Sequence, residues 1–195
     1  MAEGIKIQIY RNETADVLTK KLADPKENAG IGSAAAASAA LSASMISRAA
    51  VQIRQAGGEN EKLDWYVRNT EILRNYMVKL IDEDVICRGP LRRAQKEGDD
   101  RTIEAARQAA VSICLEIVNM MGQCLDLACE MADLAGDNVK ADLAAGRYIL
   151  YMSSLSPDDT YRYVMKRDNE LTVQTQKAAY ERVITATVPT PAANG

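Results

Sequence analysis

The chain of 195 residues contains no histidine, no phenylalanine and a single tryptophan. Without an imidazole there is no Ser-His-Asp or Cys-His catalytic apparatus, and no zinc site that uses histidine. Acid–base chemistry must then fall to a carboxylate, Lys, Tyr or Cys. Eight tyrosines supply nearly all the aromatic volume. Cysteine is sparse too: Cys87, Cys114, Cys124 and Cys129 form no C-x-x-C pair, which argues against a thioredoxin motif or a zinc knuckle. No metal site is expected. No basic segment followed by an apolar stretch opens the chain, so a signal peptide is not expected. The protein reads as cytoplasmic, with reduced and mostly buried thiols. An excess of one charge is also missing. Lys and Arg number 24 against 27 Asp and Glu, a net charge of −3, with no pull toward phosphate backbones, so no nucleic-acid partner is expected.

What is present is helical. Hydrophobic residues at 47% and charged residues at 26% are ordinary globular values, and the length suits one domain with a sizeable core. Ile5, Ile7 and Ile9 alternate as a short extended arm, and no longer strand pattern follows. Asn12 is positioned to cap a first helix through Leu22, stopped by Asp24-Pro25. After Asn28-Ala29-Gly30-Ile31-Gly32-Ser33 comes a second helix, Ala34 to Gln55, closed at Gly57-Gly58. Its small residues on every face suit a central helix that other backbones approach closely. Its apolar run is too short and too poor in large side chains for a membrane span. A third helix is expected from Glu61 to Cys87, broken at Gly89-Pro90, with Leu91-Arg92-Arg93 as a short separate turn. A fourth, capped at Gly98-Asp99-Asp100, reaches Leu134. Asn119, Gln123, Asp126, Glu130 and Asp133 mark its polar stripe, and Ile113, Ile117, Met120, Cys124 and Met131 its apolar one. A fifth helix starts at Asp137 or Asn138 and runs to Leu155. A sixth starts at Ser156-Pro157-Asp158-Asp159. The expected fold is all-α, an antiparallel bundle of about six helices over residues 1–187, with a disordered tail at 188–195.

The chemistry turns on which carboxylates face inward. At 100° per residue around Leu80, Leu73 falls at about 20°, Tyr76 at about −40°, Met77 at about 60° and Cys87 at about −20°. Asp84 falls at about 40°, inside this apolar stripe, and Asp82 at about 200°, on the solvent side. An aspartate among Leu, Met and Cys is expected to have a raised pKa, as a general acid or base working near neutrality requires. The other reading is a buried aspartate satisfied by an arginine or by backbone N–H groups. Asp142 lies on the inner face of the fifth helix, either functional or engaged in capping or an internal ion pair. The turn of Gly30, Ile31, Gly32 and Ser33 opens a buried helix. Its free N–H groups would attract an anion or a carbonyl oxygen, or it is a plain cap with tight packing. It matches neither a phosphate-binding P-loop nor a dinucleotide turn. Arg92, Arg93 and Lys96 form a solvated basic turn or attract an anionic ligand tail.

The order of these segments resembles the C-terminal family of formiminotransferase-cyclodeaminases, which includes free-standing methenyltetrahydrofolate cyclohydrolases. The matching stretches are Thr14-Ala15-Asp16-Val17-Leu18 through Asp24-Pro25, then Gly30-Ile31-Gly32-Ser33-Ala34-Ala35-Ala36. Leu80-Ile81-Asp82-Glu83-Asp84 and Gly136-Asp137-Asn138-Val139-Lys140-Ala141-Asp142-Leu143 follow. The resemblance implies an all-helical homodimer that takes a reduced folate as substrate and needs no metal or redox cofactor. It implies hydrolysis of 5,10-methenyltetrahydrofolate to 10-formyltetrahydrofolate, or cyclisation of 5-formiminotetrahydrofolate with loss of ammonia. Asp84 would be the general base, the Gly30–Ser33 turn would line the folate pocket, and Asp142 would lie nearby. Ala29 and Ile31 stand where the family usually has proline and a middle glycine, and Cys87-Arg88-Gly89-Pro90 replaces its usual Ala-aromatic pair. These departures define a second expectation, a non-catalytic or repurposed helical dimer with an altered pocket. A third is an enzyme acting on a different ligand through the same aspartate.

Overall fold

A computed structural model describes residues 9–147 and 149–150, and the described residues are helical with no strand. Four long elements come first: α1 (Ala15–Ala23), α2 (Ile31–Gly57), α3 (Glu61–Glu97) and α4 (Asp100–Met131), the last followed by a 3₁₀ turn, Ala132–Leu134. A fifth helix, α5, starts at residue 137 and is described through 147 and at 149–150. The expected sixth helix, the tail, and Ile5 and Ile7 of the arm lie outside the described residues.

The ends of the helices follow side-chain capping. Thr14, not Asn12, caps α1 by accepting from Val17 N at 3.3 Å, because the Glu13 N–H closes a turn onto Tyr10 O and leaves Asn12 inside it. Asn60 caps α3 through Lys62 N at 2.9 Å, and Asp99 caps α4 through Thr102 N at 2.8 Å. These satisfy backbone donors that the first turn leaves without partners. Between α2 and α3, Gly58 adopts φ 73°, a left-handed conformation that glycine alone enters without strain.

Helix α2 lies against both α3 and α4, which also pack on each other. Ala35, Ala36, Ala39, Ala43, Ala49 and Ala50 are buried along it, and the larger Leu73, Met77, Leu80, Ile117 and Met121 of α3 and α4 fill the space around them. Close helix approach thus comes from small residues on one helix and large ones on its neighbours, which keeps interior density high. Helix α2 and the segment Asp100–Leu134 are long and apolar enough to cross a membrane, yet 50% and 56% of their most apolar stretches are buried inside the fold. That is how core helices pack. Helix α5 crosses α2 closely: a Cβ on Gly146 would sit 2.7 Å from Ile46 Cγ1, and the Ser42 hydroxyl donates to Gly146 O at 2.7 Å. The polar stripe expected on α4, from Asn119 to Asp133, is exposed throughout. Cys114 and Cys124 are buried, Cys87 is half-buried and Cys129 is exposed.

Two expectations need correction. Helix α3 does not break at Gly89-Pro90 but continues to Glu97 with Pro90 inside it. Proline removes one N–H from the ladder, and Pro90 lies on an exposed face, where the carbonyl it frees is open to water. Asp82, placed on the solvent side by the helical wheel, is only 4% exposed. The segment before α1 covers it: Asp82 Oδ1 accepts from Tyr10 N at 2.6 Å and Arg11 N at 3.0 Å, and Arg11 Nε lies 3.3 Å from Oδ2. Asp82→Ala removes the acceptor for two backbone donors and is expected to cost about 2–3 kcal/mol. Urea denaturation, together with faster protease cleavage ahead of α1, would register it.

Candidate functional site

The site is built where the start of α2 meets the middle of α3. Gly30 caps α2 with no side chain of its own to accept from the first-turn N–H groups, and the acceptor comes from elsewhere in the chain. Asp84, 3% exposed, accepts from Ser33 N at 2.9 Å through Oδ2. Ser33 Oγ is 2.8 Å from the same oxygen and 3.2 Å from Ile81 O, and its single proton favours the shorter, charged partner. One turn further along α3, Arg88 Nε reaches both carboxylate oxygens, 3.1 Å to Oδ1 and 3.0 Å to Oδ2.

The glycines of the turn are required by these two side chains. A Cβ on Gly32 would lie 2.2 Å from Asp84 Oδ1 and 2.6 Å from its Cγ. A Cβ on Gly30 would lie 2.9 Å from Arg88 Cζ. Neither glycine has a positive φ, so the need is for room and not for backbone freedom. Ile31 occupies the first helical position with no positive φ and is 41% exposed; a β-branched residue is unstrained there.

The approach to the turn is also held. Tyr10 donates its hydroxyl to Glu27, and Arg92 Nη2 donates to Glu27 O at 3.0 Å. Arg92 reaches that carbonyl because α3 continues past Pro90. The basic turn expected at Leu91-Arg92-Arg93 is therefore a stretch of helix with one arginine fastening the loop ahead of Gly30.

The aspartate is not held by Leu, Met and Cys alone: as the second reading of the sequence expected, an arginine and a backbone N–H meet it. Burial first, and then the Asp84 charge, pushes the Cys114 thiol up to about 12. Cys87 is also raised, by burial and then by Glu83 and Asp84. Both thiols stay protonated at neutral pH, which removes them as nucleophiles.

Gly30, Ile31, Gly32, Ser33 and Asp84 are thus gathered at one place. Asp142 is not. It pairs with Arg48 Nε at 3.1 Å, fifteen residues along α2 from Ser33, which is about 22 Å of helix rise. Within one chain it belongs to a separate ion pair and does not lie near Asp84. Sequence reasoning missed Arg88, whose signal was the i, i+4 spacing from Asp84; it was obscured by ending the helix at Cys87.

The profile of the formiminotransferase-cyclodeaminase family matches residues 14–156, a span holding every residue of this site. No curated protein matches the chain by sequence. Among solved structures, the crystal structure of formiminotetrahydrofolate cyclodeaminase from Thermotoga maritima is similar in fold. The TM-score is 0.78 at 15% identity, over 90% of this chain and 96% of that one.

Gly32→Ala is expected to drive the carboxylate off Ser33 and Arg88 and cost about 3 kcal/mol or more. Ser33→Ala, losing one hydroxyl donor, is expected to cost about 1 kcal/mol. Chemical denaturation of the two variants side by side would measure the ratio, and equal losses would contradict the packing argument.

Proposed function

We propose that this chain, which belongs to the formiminotransferase-cyclodeaminase family, is a folate-dependent one-carbon enzyme with Asp84 as its general base. The observation that carries the reading is the placement of Asp84, a buried carboxylate of α3 set against the first turn of α2 inside the family-matched span. With no histidine in the chain, a carboxylate is the natural proton acceptor near neutral pH.

The substrate is 5,10-methenyltetrahydrofolate, hydrolysed to 10-formyltetrahydrofolate, or 5-formiminotetrahydrofolate, cyclised with loss of ammonia. In the hydrolysis, Asp84 takes a proton from water as the water oxygen bonds to the amidine-like carbon. The carbon–nitrogen π pair then moves onto the ring nitrogen. That nitrogen takes the proton back as its bond to the carbon breaks, and the hydroxyl proton leaves to solvent as the formyl C=O forms. In the cyclisation, the folate nitrogen bonds to the carbon of the protonated formimino group as the carboxylate takes that nitrogen's proton. The carboxyl then passes the proton to the resulting amino group, whose C–N bond breaks to release ammonia. Neither route calls for a metal or redox cofactor. The turn from Gly30 to Ser33 lines the pocket, with Ile31 narrowing it. The working unit is a homodimer in the cytoplasm, and Asp142, distant from Asp84 in its own chain, contacts folate only if a second copy brings it close.

A second reading, a helical protein repurposed with an altered pocket, is favoured by one observation. Donors from the same chain already occupy the Asp84 carboxylate, as a purely structural cap would require.

Following 5,10-methenyltetrahydrofolate by its absorbance separates the two. Wild type is expected to consume it above the spontaneous rate, and Asp84→Asn to lose about 100-fold or more while still folded. A folded, inactive wild type on both folates would favour the repurposed protein. Sedimentation equilibrium at micromolar protein is expected to give the dimer mass, and a monomer would remove Asp142 from the folate site.

A further inference from the structure

The two oxygens of Asp84 are held very differently. Oδ2 receives Ser33 N, Ser33 Oγ and Arg88 Nε, at 2.9, 2.8 and 3.0 Å. Among the described residues, Oδ1 receives only the forked share of Arg88 Nε at 3.1 Å. Gly32 makes room for Oδ1 itself, since a Cβ there would stand 2.2 Å from it. Oδ2 has three donors, whereas Oδ1 shares one donor with it among the described residues and keeps a lone pair.

We infer that Arg88 is the positioning residue of Asp84, clamping the carboxylate so that Oδ2 anchors the start of α2 and Oδ1 takes the proton. The inference rests on the folate reading only for the source of that proton. Arg88 belongs to the Cys87-Arg88-Gly89-Pro90 stretch that departs from the family's usual residues. It reaches Asp84 because α3 stays helical there, one turn on. Its side chain is 17% exposed and lies against Gly30, so the glycine turn accommodates the clamp as well as the base.

The groups around the carboxylate make Arg88 decisive. On α3 these are Arg88 and the raised, neutral Cys87; from α4 comes the neutral Cys114. From α2 comes only the first-turn N–H and hydroxyl of Ser33, since residues 30–47 carry no charged side chain. Arg88 is the cation that faces Asp84 among the described residues. Without it the anion is less favoured, and a base that must be ionised gains activity only at higher pH.

The test uses protein labelled with 13C at the aspartate carboxyl, with Asp84→Asn identifying the resonance, and compares wild type, Arg88→Gln and Arg88→Lys. In Arg88→Gln the Asp84 titration midpoint is expected to rise by about one pH unit or more, and Arg88→Lys to restore most of it. In the enzyme assay, Arg88→Gln is expected to lose about tenfold or more in kcat with a much smaller change in KM. The acid limb of its pH–rate profile moves up with the titration, and Arg88→Lys recovers part of both. An Arg88→Gln protein that titrates like wild type overturns the inference, as does one that keeps wild-type kcat and pH profile in an active enzyme. If Arg88→Gln does not fold, an unchanged titration in Arg88→Lys together with full loss of kcat also overturns it. A wild type inactive on both folates defeats the functional reading instead, and the carboxyl titration alone then decides the clamp.

Discussion

The contact between the Asp84 carboxylate and the first turn of α2 organises this end of the protein. Helix α2 begins at a glycine that cannot cap it, so its start depends on an acceptor supplied fifty residues later by α3. The interaction joins the two helices that form most of the core. It needs glycine at 32 for the carboxylate and at 30 for the arginine that balances it. A buried charge is tolerated only when paired and hydrogen-bonded, and the Ser33 donors and Arg88 meet that condition together.

Two residues away, Asp82 does the same for a different segment. It accepts from the Tyr10 and Arg11 backbone and fixes the chain ahead of α1. Tyr10 in turn reaches Glu27, whose carbonyl takes Arg92. One stretch of α3, from Ile81 to Arg92, thereby holds the N-terminal segment, the loop before α2 and the start of α2.

Oδ2 of Asp84 holds the start of α2, and the proposed base role falls to the same carboxylate. Membership of a cyclodeaminase family gives that second role a natural substrate, a folate whose conversion moves protons around one carbon and needs no imidazole.

Composition and periodicity were enough for an all-helical fold, because caps, glycines and apolar stripes are local signals that each helix carries by itself. They also placed Asp84 on the inner face of α3 and the glycine turn at the head of α2, and the order of the segments identified the family. What periodicity could not supply was which surfaces become covered. The wheel left Asp82 in solvent because the segment that buries it lies seventy residues away in sequence. The proline rule ended α3 at Cys87, because that rule weighs one lost hydrogen bond and not the exposed face on which the loss is tolerated. Asp142 faces inward as Asp84 does, yet its partner Arg48 stands about 22 Å along α2 from Ser33, the partner of Asp84, since position along a helix axis decides proximity and a wheel has no axis. Only tertiary packing could show that the glycines make room for Asp84 and Arg88, for their need is set by atoms from another helix.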